Sequence, residues 1–206
     1  MLKEYFIKIK NKEKCYNCSF YNEDLPIIEI PAPKNTLIVL ISRDSTQSFI
    51  PLYELTNKYE SEEKRLMLFA NAIPNSLIVR IKRLFGDEID KEAFLKFCKI
   101  LFDQTYWTHY NKCPTRIRKK FSNYCAQNWL EEEINKAISN GAKIIVTLGS
   151  DVEKWLNQTK LKVKVEHVIN LPHPSGLSRK WNKNNEEFKK IKKDITEFID
   201  LLNNFP

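Results

Sequence analysis

Short uninterrupted apolar runs alternate along this chain with longer stretches in which apolar residues recur every three or four positions. The two patterns have different physical causes. A run of branched apolar residues suits a strand buried on both faces, whereas spacing near 3.6 gives a helix one apolar stripe. The first run, Thr36-Leu37-Ile38-Val39-Leu40-Ile41, predicts a strand that ends at a polar turn, Ser42-Arg43-Asp44-Ser45-Thr46. Residues 52–102 read mostly as helix, interrupted at Pro74 and at Gly86-Asp87, with the strongest periodicity from Lys91 to Phe102. Tyr106 to Tyr110 predicts a second strand, and Pro114 ends regular structure after it.

A helix over Ala126 to Asn140 places Leu130, Ile134, Ala137 and Ile138 on one face, with Gly141 as its stop. Lys143 to Leu148 is a third buried-type strand. Gly149 and Ser150 turn from it into a short helix, Asp151 to Leu156. Val163 to Asn170 predicts a fourth strand. The last helix, Asn185 to Leu202, carries Phe188, Ile191, Ile195, Phe198, Ile199 and Leu202 at amphipathic spacing. Residues 1–35 lack periodicity, and Pro26, Pro31 and Pro33 keep the approach to the first strand extended.

Strands alternating with helices imply an α/β protein: a three-layer α/β/α sandwich around a four-stranded parallel sheet, in a single domain over residues 1–206. In such sheets the site lies beyond the C-terminal strand ends. Asp44 follows the first strand, Cys113 the second and His173 the fourth, so three loops can converge on one edge.

Composition narrows the class. An apolar fraction of 42% is ordinary for a globular protein, and no apolar run approaches the roughly 20 residues that span a bilayer. The start has no signal-peptide core, so a cytoplasmic, intracellular monomer without membrane contact is expected. The net charge of +8 suits a partner that carries phosphates, although a basic surface alone is weak grounds for one. Placement adds to it. Lys112, Arg116, Arg118, Lys119 and Lys120 cluster beside Cys113, and Arg179, Lys180 and Lys183 follow His173. These groups are either a solvated surface or a rim that tracks phosphates.

Five cysteines in an intracellular chain argue against a disulfide framework. Cys98 falls in the apolar pattern Phe94, Phe97, Cys98, Leu101 and reads as a buried small hydrophobe. Cys15-x2-Cys18 and Cys113-x11-Cys125 remain; unligated buried cysteines are the plainer alternative, while four thiolates suit either zinc or a four-iron cluster. Either would pin the N-terminal segment to the loop after the second strand.

With these motifs in this order, the chain resembles the uracil-DNA glycosylase superfamily, and in particular its iron–sulfur, family 4-type branch. The resemblance is carried by Cys15-x2-Cys18, Lys112-Cys113-Pro114-Thr115-Arg116, Cys125, Ile145-Val146-Thr147-Leu148-Gly149 and His173-Pro174-Ser175. The stretch Pro174-Ser175-Gly176-Leu177-Ser178-Arg179 is also similar to a loop of the mismatch-specific uracil glycosylases. The resemblance implies a [4Fe–4S] cluster on Cys15, Cys18, Cys113 and Cys125, with structural zinc as the alternative. It implies one glycosylase-like domain that acts on DNA, hydrolysing the N-glycosidic bond of uracil or a related deaminated base and leaving an abasic site. A non-catalytic iron–sulfur nucleic-acid-binding protein on the same scaffold is the alternative, and an unrelated α/β protein with a structural zinc is a third.

The chemistry explains the residue types. The target nucleotide must leave the stack, an apolar wedge fills the gap, and the departing base becomes anionic while the sugar becomes cation-like. By resemblance Leu177 is the wedge, His173 stabilises the leaving base, Asp44 positions the water, and Phe49, with Tyr53 as second choice, stacks on the base. Ser175, Ser178, Arg179, Lys180, Arg116 and Lys119 would contact DNA. Each has a plainer reading: His173 as a strand-end group bonded to backbone, Asp44 as a helix cap, Phe49 as core, and Leu177 as an ordinary exposed apolar residue.

Two departures stand out. The family 4 motif Gly-Glu-x-Pro-Gly is replaced by Ser42-Arg43-Asp44-Ser45-Thr46, whose Asp is similar in position to that of the Gly-Gln-Asp-Pro-Tyr motif of family 1. The Asn that reads uracil in the family is replaced by His109, with Asn111 two residues on. His109 and Asn111 are therefore the base-binding candidates, and the base itself is open.

Overall fold

The structure, a computed structural model, describes residue 18 and residues 33–44, 73–85, 88–112, 123–174, 179–181 and 186–205. Four parallel strands form one sheet in the order β2-β1-β3-β4: β1 (Ile38–Asp44), β2 (Thr105–Asn111), β3 (Ile144–Leu148) and β4 (His167–Leu171). Between β1 and β2 lie α1 (Ile73–Phe85) and α2 (Lys91–Asp103). A π-helical turn (Ala126–Leu130) runs straight into α3 (Glu131–Ser139) between β2 and β3. Helix α4 (Ser150–Gln158) joins β3 to β4, and α5 (Glu187–Asn204) closes the described chain.

The sheet has a packed layer on each face. Ile38 and Leu40 of β1 point into a cluster with Leu77 and Ile81 of α1, Phe97 and Leu101 of α2, and Ile195, Phe198 and Leu202 of α5. Their neighbours Val39 and Ile41 point the other way, among Leu130, Ile134 and Ala137 on the α3 side and Val152, Trp155 and Leu156 of α4. That alternation follows from the two-residue side-chain period of a strand, and burial on both faces explains the unbroken apolar runs of β1 and β3. Phe97 and Phe198 meet edge to face at 5.3 Å, locking α2 to α5. Cys98 packs against the same cluster but is only half-buried, less than its place in the apolar stripe predicts.

Travel reverses at β1. The chain moves from β1 outward to β2, then crosses back to β3 on the other side. Right-handed crossovers put the helices of those two journeys on opposite faces. The C-terminal ends of β1 and β3 thus form a switch point, where the crevice of an open parallel sheet opens.

Two boundaries differ from the sequence-based expectation. Strand β1 runs on through Ser42, Arg43 and Asp44 instead of turning there, because the ladder with β2 continues: Ser42 pairs His109 and Asp44 pairs Asn111. Residues 163–164 belong to a 3-10 turn (Leu161–Lys164), and β4 begins only at His167. Its partner β3 starts at Ile144, which is paired with His167, so an earlier start would have no ladder to join. Pro74 lies in the first turn of α1, where a backbone N–H is not needed, and the stretch before Ile73 lies outside the described residues.

Candidate functional site

The ladder that prolongs β1 and β2 sets the geometry of the site. Register partners in a parallel pair share a face, so Asp44 and Asn111 stand side by side at the strand ends, with Ser42 and His109 one step below. Asn111 Nδ2 donates to Asp44 Oδ1 at 2.7 Å. Arg43 Nε donates to the other oxygen, Oδ2, at 2.6 Å, and its Nη1 reaches Asp151 Oδ2 at 3.3 Å in the first turn of α4. Both carboxylate oxygens of Asp44 are thus engaged by groups from two strands, and the residues after it, which a helix-cap role would involve, lie outside the described residues.

His173 comes to the same place from β4. Gly149, with φ 98° and ψ 153°, turns the chain out of β3, and its N–H donates to Leu171 O at 2.8 Å. A Cβ on Gly149 would lie 3.6 Å from the His173 Cβ, so the imidazole-bearing loop packs directly over this turn. The His173 carbonyl accepts from Trp181 Nε1 at 2.8 Å, and the Pro174 carbonyl accepts from Arg80 Nε of α1 at 3.1 Å. The backbone of residues 173–174 is thereby held from the α1 side and from the 3-10 turn (Arg179–Trp181).

The electrostatics of the two histidines follow from their surroundings. Burial lowers the pKa of His173, the Arg43 guanidinium lowers it further, and the Asp44 carboxylate opposes them. The acid from the end of β1 and the imidazole from beyond β4 thus act on one another. His109, fully buried, is pushed down to about 3, first by burial and then by Lys112 and His173. Both imidazoles are neutral at pH 7, and each then carries one donor and one acceptor nitrogen.

Lys112 departs from its expected place. It was grouped with the basic rim beside Cys113, but it is 2% exposed and its ammonium is paired with Glu133 of α3. Tyr106 OH at 3.2 Å and Thr108 Oγ1 at 2.9 Å donate to the same Glu133 Oε2. Glu133, in the acidic first turn of α3, folds onto the lysine because Thr108 and Lys112 lie on the side of the sheet that α3 covers. Lys180, in contrast, is exposed and ion-paired to Glu187 at 3.1 Å.

Of the cysteines, Cys125 is buried at the start of the helix that leads into α3, and Cys18 is half-buried. Among the described residues no group of three or more metal-ligating side chains gathers. Cys15, Cys113, Phe49, Tyr53, Arg116, Lys119, Ser175, Leu177 and Ser178 lie outside the described residues. No helix among the described residues is long and apolar enough to cross a membrane.

Sequence reasoning missed Arg43, Trp181 and Ser42. The Ser42 hydroxyl is buried and has no hydrogen-bond partner among the described residues. Arg43 had a signal of a kind, its adjacency to Asp44. Nothing local to Trp181 marks it as the anchor of a loop eight residues earlier.

No curated protein matches the chain. The family model of the uracil DNA glycosylase superfamily matches residues 57–196, a span that begins after β1 and ends within α5. That span holds β2, β3, β4 and His173, leaving the Asp44 strand to be placed by the fold itself. The chain belongs to the uracil-DNA glycosylase superfamily.

Proposed function

We propose that the protein is a monofunctional DNA glycosylase that releases uracil or a related deaminated base and leaves an abasic site. The observation that carries this reading is placement: Asp44 ends β1, the His173 loop packs over the Gly149 turn that ends β3, and these two strand ends flank the switch point of the sheet. A carboxylate there can orient a water and stabilise the cation-like sugar. A neutral imidazole can donate to the oxygen of the departing base, where negative charge develops. Burial keeps His173 in that neutral form, and the Trp181 bond to its carbonyl fixes the backbone from which it points. Leu177 would wedge, Phe49 would stack, and Ser175, Ser178, Arg179, Lys180, Arg116 and Lys119 would meet the DNA backbone.

Cys15, Cys18, Cys113 and Cys125 would hold a [4Fe–4S] cluster, whose contribution is to tie loops together. The burial of Cys125 at a helix start and the partial burial of Cys18 fit thiolate ligation. Iron and sulfide in the anaerobically purified protein, lost in Cys125→Ser, support this assignment; zinc alone refutes it.

The test of activity is incubation with single- and double-stranded oligonucleotides containing uracil, hypoxanthine or xanthine, followed by alkali. Wild type should give strand scission and His173→Ala far less. Salt-sensitive DNA binding without scission on any substrate would favour the non-catalytic alternative.

A further inference from the structure

The strand ends hold a carboxylate more firmly than a water-orienting acid alone requires. Asp44 and Asn111 are ladder partners, so their backbones are fixed about 4.8 Å apart by the sheet. Asn111 Nδ2 meets Oδ1 at 2.7 Å while Arg43 Nε meets Oδ2 at 2.6 Å, one donor on each oxygen. Arg43 is itself anchored on Asp151 of α4. With a donor from each side, the plane of the carboxylate is set. The amide must present nitrogen to this acid, since its carbonyl would face another oxygen acceptor. A hydrogen bond to an ionised acceptor is roughly twice as strong as a neutral one, and an Asn111 that swung away to read a base would give it up.

We infer that Asn111 is a positioning residue for Asp44, and that discrimination between bases rests on other groups. This inference rests on the glycosylase reading. Two polar side chains remain on the same face one ladder step below: His109, buried and neutral, and Ser42, whose buried hydroxyl has no partner among the described residues. Neither fixes one donor–acceptor pattern, because a hydroxyl rotates and a neutral imidazole changes tautomer.

The experiment is a double-mutant cycle with wild type, Asn111→Ala, Asp44→Asn and the double variant, measured as single-base release from oligonucleotides. Asn111→Ala should lower kcat by about 10- to 100-fold with KM unchanged, as expected for a displaced catalytic group. The factor should be the same for every base that wild type releases. In the Asp44→Asn background the same substitution should cause no further loss. Losses that multiply, or a factor that changes from base to base, overturn the inference and make Asn111 a reader. If wild type releases no base at all, the glycosylase reading fails, and thermal unfolding of the same four proteins decides the contact by itself. Non-additive changes in Tm support the Asn111–Asp44 contact, and additive ones overturn it.

Discussion

His109 makes the stability of this protein sensitive to mild acid. Its imidazole is fully buried and its pKa is pushed down to about 3 by burial, with Lys112 and His173 acting in the same sense. In the unfolded chain the value returns to about 6.5. The sign follows from proton counting. Between these two values the unfolded state binds a proton that the folded state excludes, so stability rises with pH across the window and is lost as pH falls through it. From pH 7 to pH 5 the loss from this one group is about 2 kcal/mol, since each pH unit below 6.5 costs about 1.4 kcal/mol. For a chain of this size that is a fall in Tm of about 4–8 °C. Other groups titrate in the same range, so the measurement is a difference. Urea unfolding of wild type and His109→Asn, followed by circular dichroism at pH 5, 6, 7 and 8, isolates the contribution. The variant should lose about 2 kcal/mol less than wild type between pH 7 and pH 5. Parallel pH dependences for the two proteins would refute the buried, neutral imidazole one ladder step below Asp44 and Asn111.

Gly149→Ala should destabilise by about 1–3 kcal/mol, because φ 98° with ψ 153° is a region essentially reserved for glycine; urea unfolding reads this directly. The new Cβ would fit beside His173, so the cost should come from backbone strain and not from a clash. Lys112→Met should cost about 3–5 kcal/mol by leaving Glu133 without its cation, whereas Lys112→Met combined with Glu133→Leu should recover most of that loss. Equal destabilisation of the single and double variants would contradict a buried ion pair. Trp181→Phe keeps an aromatic ring but removes both the bond to the His173 carbonyl and part of a buried indole, for a destabilisation of about 1–3 kcal/mol. Base release should then fall with little change in oligonucleotide affinity, which a filter-binding titration run beside the turnover assay would show.

Much of this architecture is written locally. The run from Ile38 to Ile41 and the run from Ile144 to Leu148 could only be strands covered on both faces, and both are. The spacing of Ile191, Ile195, Phe198, Ile199 and Leu202 could only present one buried stripe, and α5 buries all five. Strand ends were harder to read. A polar Ser42-Arg43-Asp44 looks like a turn by composition, yet a ladder partner was present to keep it extended. Conversely Val163 looks like strand, but β3 offers it no partner and it is 76% exposed.

The sequence by itself determined the order and type of the elements, the parallel sheet that they build, and the residues at its C-terminal edge, because periodicity and turn chemistry act between near neighbours along the chain. Only the tertiary structure decided which of those edge residues touch. Asn111 bonds Asp44 across 67 positions, and Arg43 bonds Asp151 across 108. Lys112 is buried where its charge suggested a surface, because Glu133, Tyr106 and Thr108 are waiting for it. Pairing and desolvation depend on distance in space, and that distance is set by strand register and crossover direction, neither of which any short stretch of sequence encodes.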